Sequence, residues 1–478
     1  MWWQDAVIYQ IYPRSFQDSD ADGVGDLSGI EQRLDHLAWL GVDALWLSPI
    51  YPSPMYDFGY DISDYKDVDP AFGSLEDFDR LVAAARNRGL RVLLDLVPCH
   101  TSTEHPWFRE HPDWYIWSDA PNNWSSAFGG PAWSKLDGRY YLHSFYPEQA
   151  DLDWRNPELV AAMQDALRFW IERGTAGYRV DAIDRLLKDP QLRDDPPAGE
   201  PFGLPLRQDE AKLALTNSRN APDTGAALAK IREAVGDALL VGEVYLPSAR
   251  WQPYLEHLDA AFAFELLHAP WDAERLRAAI AATTRRPGAA WVLSNHDFGR
   301  LVTRFGPENA RAAALLLLTL PGPAFLYQGD EIGLGDGPRC ERVYDRAGRD
   351  RYRHPMQWDG SPSGGFTTGS AWLPPVDPEA TNVEAQRDDP RSTLSLVRDL
   401  LALRRILGDG LELIDADPGV LAYRRGEHTI AINTSRQSQR APLSRDVVLE
   451  TAPGAVRDRT LAAHAGVITR SDEGVGQA

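Results

Sequence analysis

Short apolar runs alternate along the chain with amphipathic stretches of helical period. A strand buried on both faces is apolar throughout, so each run is typical of a parallel β-strand. Eight strands separated by helical patterns predict an α/β fold of the (β/α)8 TIM-barrel type, because an open flavodoxin-like sheet needs fewer strands. The predicted strands are Ala6–Tyr12, Ala44–Leu47, Arg91–Val97, Gly177–Ala182, Leu239–Val244, Ala260–Phe264, Trp291–Ser294 and Pro323–Tyr327.

Two regions depart from this alternation. After the third strand, the chain is rich in Trp, Pro, Asn and Gly and carries no convincing helix, which predicts a loop subdomain. Beyond a last barrel helix at Ser392–Arg405, short alternating segments predict a small all-β domain. The predicted domains are a catalytic barrel over 1–100 and 157–405, an inserted subdomain over 101–156 and a C-terminal β-sandwich-like domain over 406–478.

Charge and cysteine content narrow the classes of partner. The chain has 49 Lys and Arg against 70 Asp and Glu, a net charge of −21, which disfavours nucleic acid and anionic membranes as partners. Its two cysteines, Cys99 and Cys340, cannot build a disulfide framework. The start shows no signal-peptide pattern, and the most apolar segment, Ala312–Tyr327, is too short and broken to span a bilayer. We expect a cytoplasmic protein, monomeric or weakly homo-oligomeric, with a neutral small-molecule substrate.

An acidic loop near the start has the spacing of a metal site. Asp18, Asp20, Asp22 and Asp26 occupy relative positions one, three, five and nine, and Val24 can offer its carbonyl at position seven. Alternating oxygen ligands around a glycine turn suit a hard cation, although the glutamate that ends an EF-hand loop is missing. The sequence predicts one structural Ca²⁺ site, with Mg²⁺ as an alternative, against an acidic surface turn.

Three of the predicted strands end on a carboxylate. These are Asp181, Glu243 and Asp297. A buried acid is costly unless something uses it, and the carboxyl ends of barrel strands form the active-site face. Two carboxylates suffice to cleave a glycosidic bond, one as proton donor and one as nucleophile or base. The three acids therefore predict a catalytic pocket.

Neighbouring residues predict different roles for these acids. The positive charge of Arg179 should keep Asp181 ionised, as a nucleophile requires. Glu243 stands in an apolar run that should raise its pKa and suit a proton donor. His100 and His296 could hydrogen-bond sugar hydroxyls.

Four segments, DLVPCHTS, GYRVDAID, LLVGEVY and LSNHD, resemble the four signature regions of the α-amylase family, glycoside hydrolase family 13. The runs MYDFGYDISDYKDVDPAFGSLEDF and RYRHPMQWD are similar to the α-glucosidase and oligo-1,6-glucosidase branch. The resemblance extends from Ala6 to about Arg405. It implies Asp181 as nucleophile, Glu243 as acid/base, Asp297 as the acid that holds the distorted sugar ring, and no organic cofactor.

The same resemblance implies a set of substrate contacts. Arg353 would pair with Asp57 and close the pocket behind a terminal glucose, which favours exo-action. In this branch small residues or Thr after the nucleophile accompany α-1,4 cleavage, whereas Val accompanies α-1,6 cleavage, and Ala182 stands there. The implied substrate-binding residues are Asp57, Tyr60, His100, Phe128, Phe145, Arg179, His296 and Arg353.

These residues together predict a retaining exo-α-glucosidase for short α-glucosides, with α-1,4 bonds preferred over α-1,6 bonds and possible transglycosylation. One alternative is a glucosyltransferase or isomerase of the same family, of the trehalose synthase or sucrose isomerase type. Another is a catalytically silent, hydrolase-like subunit, which would lose the acids that this chain keeps.

Overall fold

The computed structural model describes residues 1–207, 209–285, 287–340 and 342–470. Eight parallel strands close into a barrel, and each pairs with its neighbours in sequence, while the first pairs with the last. The predicted TIM barrel is therefore confirmed. The barrel strands are β1 (Val7–Ile11), β2 (Ala44–Leu47), β3 (Arg91–Leu96), β4 (Gly177–Val180), β5 (Leu239–Gly242), β6 (Ala260–Phe262), β7 (Ala289–Val292) and β8 (Ala324–Tyr327).

Inward-facing side chains of these strands fill the barrel, so its interior is a packed core. Trp46, Phe262 and Phe325 pack their rings against one another there, with centroids 4.7–5.9 Å apart. A larger apolar cluster lies between the strands and the surrounding helices. In a barrel filled in this way, a pocket is expected at the carboxyl ends of the strands.

Helices follow the strands as the helical periodicity predicts. Leu75–Asn87 begins with a capping box in which Ser74 and Asp77 exchange hydrogen bonds, and Leu34–Leu40 ends at Gly41 in the left-handed conformation. The helices are Leu27–Gln32, Leu34–Leu40, Leu75–Asn87, Pro106–Glu110, Pro157–Glu172, Thr224–Val235, Gln252–Leu255, Phe264–His268, Ala273–Thr283, Leu301–Phe305, Ala310–Thr319, Val383–Arg387 and Thr393–Arg404.

The segment after β3 forms a small subdomain above the barrel. His100–Ser102 pairs with Gln149–Asp151 at its base, and this two-stranded sheet continues directly from β3. A three-stranded sheet lies farther out, and Trp124 and Trp133 stack beside it around an apolar core. Its strands are Trp117–Ser118, Trp133–Leu136 and Arg139–Leu142. The two-stranded sheet at the base places His100 and Gln149 at the mouth of the barrel.

The C-terminal region is all-β over its described residues. A five-stranded antiparallel sheet and a three-stranded sheet share a core that includes Val420, Leu461 and Val467. The final residues of the predicted domain, 471–478, lie outside the described residues. The strands of the larger sheet are Glu412–Ile414, Val420–Arg425, His428–Asn433, Asp446–Glu450 and Gly466–Arg470, and those of the smaller are Gln439–Arg440, Val456–Arg457 and Thr460–Leu461.

Among the helices of the described ranges, none combines the length and apolar character needed to cross a membrane. The most apolar segment of the sequence is the helix Ala310–Thr319 followed by β8, as the interrupting prolines predict.

Candidate active site

A cavity of about 420 Å³ opens at the carboxyl ends of the barrel strands. It collects eight of the eleven catalytic and substrate-binding residues that the sequence predicts. The other three, Arg179, His296 and Arg353, are almost fully buried and lie directly behind the wall. The predicted residues in the wall are Asp57, Tyr60, His100, Phe128, Phe145, Asp181, Glu243 and Asp297.

Arg179, at the end of β4, is the centre of the carboxylate cluster. Its Nη1 lies 2.6 Å from Asp181 Oδ1, and its Nη2 lies 2.6 Å from Glu243 Oε2. The backbone N–H of Ala182 also donates to Glu243, over 3.2 Å. One guanidinium thus bridges the two acids and keeps them on the same side of the cavity.

This bridge corrects the predicted electrostatics. The positive charge of Arg179 was expected to hold Asp181 ionised. Burial instead raises the pKa of Asp181 well above its usual value, Arg179 only partly lowers it, and neighbouring Glu243 raises it further. The Asp181 carboxyl is therefore harder to ionise than the positive charge of Arg179 alone would predict.

Asp95 on β3 is a third carboxylate of this cluster, and the sequence analysis missed it. It is fully buried, accepts from Arg179 Nη1 over 2.8 Å and from the Tyr60 hydroxyl over 2.9 Å, and burial raises its pKa to about 6 although Arg179 lowers it. The available signal was an acid inside the apolar run RVLLDLV. Asp95 fixes both Arg179 and the Tyr60 ring.

Asp297 lies across the cavity in a different charge environment. Arg349 Nη1 approaches it to 2.8 Å, Arg353 Nη2 to 3.3 Å and His296 Nε2 to 3.1 Å. Burial disfavours its charge, but these three neighbours together hold the pKa of Asp297 well below its usual range. Asp297 is therefore ionised, as an acceptor of sugar hydroxyls must be.

His296 is held as a neutral ring. Gln10 approaches its Nδ1 to 2.8 Å, Tyr60 stacks on it at 5.3 Å, and burial lowers its pKa well below the usual value. With Gln10 Nε2 as donor to Nδ1, the proton belongs on Nε2, which lies 2.7 Å from the Tyr60 hydroxyl oxygen and 3.1 Å from Asp297 Oδ2. The ring therefore lies between Tyr60 and Asp297 in this wall.

The partner of Asp57 differs from the prediction. Arg349, and not Arg353, contacts Asp57, through Nη2. Arg353 instead donates from Nε to the carbonyl of His296 over 2.9 Å and contacts Asp297. The two arginines stand four residues apart, and the short 3₁₀ helix Arg349–Tyr352 turns them to different partners. The pair that closes the inner end of the cavity is Asp57–Arg349.

Gln149 is a further residue that the sequence analysis missed. Its Nε2 lies 3.0 Å from Asp57 Oδ2 and 3.0 Å from His100 Nε2, so it links the subdomain to the barrel mouth. Burial lowers the pKa of His100, which keeps this ring neutral. A single glutamine between two loops follows no recognisable spacing. Its place in the site becomes visible only because its strand pairs with His100–Ser102.

Known proteins resemble this chain in both sequence and fold. The model of the α-amylase catalytic domain matches residues 10–410. The chain belongs to the α-amylase family. A probable α-glucosidase of Rhizobium meliloti (strain 1021) is 39% identical, with 89% of this chain and 87% of that protein covered. The solved structure of an α-glucosyl transfer enzyme aligns with a TM-score of 0.91 and 38% identity, covering 98% of this chain and 99% of that one. That of the trehalulose synthase of Pseudomonas mesoacidophila MX-45 aligns with a TM-score of 0.89 and 31% identity, again covering 98% of this chain and 99% of that one.

The outer part of the cavity in this α-amylase family member is lined by aromatic and charged side chains. Phe145 lies 5.1 Å from the His100 ring, and Phe128 stacks on Tyr146 at 4.1 Å. Opposite them, Tyr245 donates to the carbonyl of Pro205 over 2.8 Å. Two buried arginines, Arg185 and Arg219, share Glu210 in the same wall. The leaving group would therefore meet flat apolar faces and fixed ions.

No residue of the acidic loop lines this cavity in the described part of the chain. Asp18, Asp20 and Asp22 each bring a carboxylate oxygen within 4.8 Å of the others. Gly23 has a φ of +95°, and a Cβ there would come within 2.0 Å of the Ser370 carbonyl oxygen, so only glycine fits this turn.

Asp26 does not join the cluster. Its carboxylate instead caps the helix Leu27–Gln32, with Oδ1 accepting from the Gly29 N–H over 2.7 Å and Oδ2 from the Ser19 N–H over 2.7 Å. The three converging carboxylates of Asp18, Asp20 and Asp22 fit a hard cation.

Proposed function

We propose that this protein is a retaining exo-α-glucosidase that releases α-glucose from the non-reducing end of short α-glucosides. The observation that carries the proposal is the placement of Asp181 and Glu243 on one guanidinium. Retaining glycosidases hold their two carboxyl groups roughly 5 Å apart, whereas inverting enzymes separate them by roughly 6.5–9.5 Å to admit a water. Two acids that both hydrogen-bond Arg179 suit the shorter separation.

In the proposed reaction, Asp181 Oδ forms a bond to the anomeric carbon while the bond to the leaving oxygen breaks. Glu243 gives its proton to that oxygen, and the resulting carboxylate then takes a proton from water. The hydroxide oxygen replaces Asp181 on the anomeric carbon, so the carbon inverts twice and the glucose leaves as the α-anomer. Asp297 is kept ionised by Arg349, Arg353 and His296. It accepts hydrogen bonds from hydroxyl groups of the distorted ring.

Exo-action is supported by the closed inner end of the cavity. Asp57 and Arg349 meet there, and Gln149 holds the second oxygen of Asp57. A polymer running through the site would have to part a buried ion pair. A volume of about 420 Å³ also suits a short substrate. Terminal glucose units of oligosaccharides are therefore the proposed substrates, with α-1,4 bonds preferred because Ala182 lines the wall.

Product analysis tests this proposal directly. The purified chain is incubated separately with maltose, isomaltose, sucrose and trehalose, the products are resolved by chromatography, and the first product is followed by NMR. We expect glucose, released as the α-anomer and fastest from maltose. Initial release of β-glucose would overturn the retaining mechanism.

The nucleophile has a sharper test. Asp181→Ala should lower kcat at least 10³-fold with an unchanged melting temperature. Added azide should restore turnover of an activated α-glucoside and give β-glucosyl azide, because azide enters from the face that Asp181 leaves open. Failure of azide to form that product, with substantial residual hydrolysis, would place the nucleophile elsewhere.

Glucosyl transfer is the second candidate. It is favoured by the enclosed outer wall, where Phe128, Phe145 and Tyr245 could hold a second sugar and exclude water. The α-glucosyl transfer enzyme and the trehalulose synthase, which align over 98% of this chain, share the same barrel. A new disaccharide from maltose or sucrose, in excess over free glucose at early times, would decide for transfer.

We also propose that the acidic loop binds one structural Ca²⁺ ion, with Asp18, Asp20 and Asp22 as its carboxylate ligands and the Val24 carbonyl as a further donor. Hard cations take oxygen ligands of this kind. The Thr367 hydroxyl donates to Asp18 over 2.5 Å, so bound Ca²⁺ would also tighten the segment 366–372 against the loop.

Thermal melting with added CaCl₂, MgCl₂ or chelator tests the metal. Ca²⁺ should raise the melting temperature of the wild type more than Mg²⁺ does, and Asp20→Asn should abolish the increase. Asp237→Asn, an exposed acid outside the loop, is the matched control and should keep it. A metal-independent melting temperature would mean that the loop is an acidic turn.

Both cysteines are free thiols. We propose a cytoplasmic location on this basis, which fractionation of the native host would test; recovery from the culture medium or the envelope would contradict it.

A further inference from the structure

The Arg349 guanidinium contacts two cavity carboxylates at once. It reaches Asp57 through Nη2 and Asp297 through Nη1, and so spans the inner end of the cavity between two acids that face the sugar. Arginine side chains have many rotamers, and holding one in a bridging position costs entropy unless other contacts fix it. The side chain is only 7% exposed, so a fixed anchor must lie inside the protein.

That anchor is Asp345. Its Oδ2 accepts from Arg349 Nε over 2.9 Å and from the Arg349 backbone N–H over 2.6 Å, and its Oδ1 lies 2.8 Å from Nη2. The Nε and Nη2 contacts form the paired, fork-shaped bond typical of arginine and carboxylate. Asp345 therefore fixes the plane of the guanidinium while leaving Nη1 for Asp297.

The position of Asp345 is itself fixed by burial and by hydrogen bonds to its neighbours. It has no solvent exposure, and its backbone N–H donates to Asp350 Oδ1 over 3.1 Å. Gly348, with a φ of +78°, completes the turn that brings Arg349 back over the Asp345 carboxylate. Burial disfavours the charge of Asp345, but Arg349 lowers its pKa to about 2, so the anchor is ionised across the working pH range.

From these contacts we propose that Asp345 is a positioning residue for glucoside binding: it holds Arg349 in the bridging orientation that closes the cavity between Asp57 and Asp297. Asp345 does not line the cavity and touches no sugar. Its close contacts are with Arg349, since Arg353 Nη1 stands 4.0 Å from its Oδ1, and the inference rests on the proposed glucosidase function.

The expected effect is on binding more than on chemistry. A loosened Arg349 would leave Asp57 and Asp297 less well oriented in both the bound substrate and the transition state. Loss of uniform binding raises KM with little change in kcat. For Asp345→Asn, which keeps size and removes charge, we expect KM for maltose to rise about 10-fold and kcat to fall less than 3-fold.

A double-mutant cycle separates positioning from general stability. KM, kcat and melting temperature are measured for the wild type, Asp345→Asn, Arg349→Met and the double variant. Arg349→Met should raise KM well beyond the Asp345→Asn value. If Asp345 acts only through Arg349, the double variant should match Arg349→Met within 2-fold. Independent, multiplying effects, or an unchanged KM in Asp345→Asn, would overturn the proposal.

A binding measurement keeps the test independent of turnover. The glucose-shaped inhibitor 1-deoxynojirimycin is titrated calorimetrically into the wild type and into Asp345→Asn, and its Kd should rise about 10-fold, in line with KM. The matched control is Asp359→Asn, which should leave Kd within 2-fold. Asp359 lies in the same long segment after β8 and its side chain accepts a hydrogen bond from the Ser361 N–H in a turn. If the wild type cleaves no α-glucoside, the proposed function fails; if it cleaves them but Asp345→Asn binds normally, only this inference fails.

Discussion

Arg179 donates to Asp181 through one nitrogen and to Glu243 through the other, so its charge acts on both acids. The difference between nucleophile and proton donor must then come from what else surrounds each group. Asp181 is 7% exposed at the cavity wall, and Glu243 also accepts the Ala182 N–H. A sugar that fills the cavity would exclude water from both acids. The surroundings that distinguish the nucleophile from the proton donor are therefore those of the complex with substrate.

Ala182 gives the first residue-scale prediction, which concerns linkage preference. Ala182 lines the cavity beside the nucleophile and has a φ of +44°. Ala182→Val adds two methyl groups to the wall where the leaving sugar lies, and we expect the ratio of kcat/KM for isomaltose to that for maltose to rise about 10-fold or more, equivalent to about 1.4 kcal/mol of transition-state free energy. A branched side chain at positive φ is strained, so the melting temperature should also fall.

Ala182→Thr is the control for that strain, because threonine is branched at the same carbon. It should lower the melting temperature to a similar extent and keep the preference for maltose, as expected from the small or threonine residue that accompanies α-1,4 cleavage. An equal shift of linkage preference in both variants would show that strain, and not the shape of the wall, changes the specificity.

Strand-end position predicted the three acids Asp181, Glu243 and Asp297 from the residues alone. The predicted wall residues in loops, such as Asp57 and Phe128, depended on the resemblance to a known family. Arg349 was not predicted, and Arg353 was paired with Asp57 in its place, because spacing does not say which way each arginine side chain turns. Contacts between distant segments, such as that of Gln149 with Asp57, depend on how two loops pack and leave no local pattern.

At the scale of elements, the barrel strands were predictable because each is a continuous apolar run between turn residues. The errors lie at their ends. The fourth strand ends at Val180, two residues before the predicted end, because Ala182 adopts a left-handed turn. The seventh begins at Ala289, two residues before the predicted start, because Ala289 and Ala290 are small and carry little strand propensity. Tertiary pairing decides such boundaries.

The turn after β8 supports a prediction about stability and pH. Asp330 is buried in the 3₁₀ helix Asp330–Ile332. Ser294 donates to its Oδ2 over 2.5 Å, and within the described part of the chain its Oδ1 has no hydrogen-bond partner. Burial raises the pKa of Asp330 to about 7, although Arg300 lowers it. The folded protein therefore binds this proton more tightly than the unfolded chain does.

The sign of the effect follows from proton linkage. Below about pH 4, both states hold the proton and the full contribution to stability is present. As the pH rises towards 7, the unfolded chain ionises first, and up to about 4 kcal/mol of stability is lost. Asp330→Asn cannot ionise, so its melting temperature relative to the wild type should rise by about 5 °C between pH 5 and pH 8. An equal difference at both pH values would contradict the buried ionisation.

At the scale of the whole molecule, one acid joins three parts of the chain. Asp5 precedes β1, and its carboxylate contacts Arg404 at the end of the last barrel helix, over 2.9 Å, and Arg425 in the C-terminal sheet, over 3.0 Å. Both arginines are almost fully buried, whereas Asp5 is 35% exposed. Burial lowers the pKa of Arg404 to about 10 in spite of Asp5, which shows how costly these charges are without a partner.

Asp5→Ala should therefore loosen the junction between the barrel and the C-terminal sheets. Removing one member of a buried ion pair costs about 3–5 kcal/mol, and the partial exposure of Asp5 reduces the expected loss to about 2 kcal/mol. Urea unfolding followed by tryptophan fluorescence measures this loss, and limited proteolysis should cut first near residue 406 because the C-terminal sheets separate from the barrel. Glu412→Ala removes an exposed pair with Arg424 in the same sheet and should cost less than about 0.5 kcal/mol. Equal losses in the two variants would mean that the buried arginines find other partners, and that the junction is held by apolar packing alone.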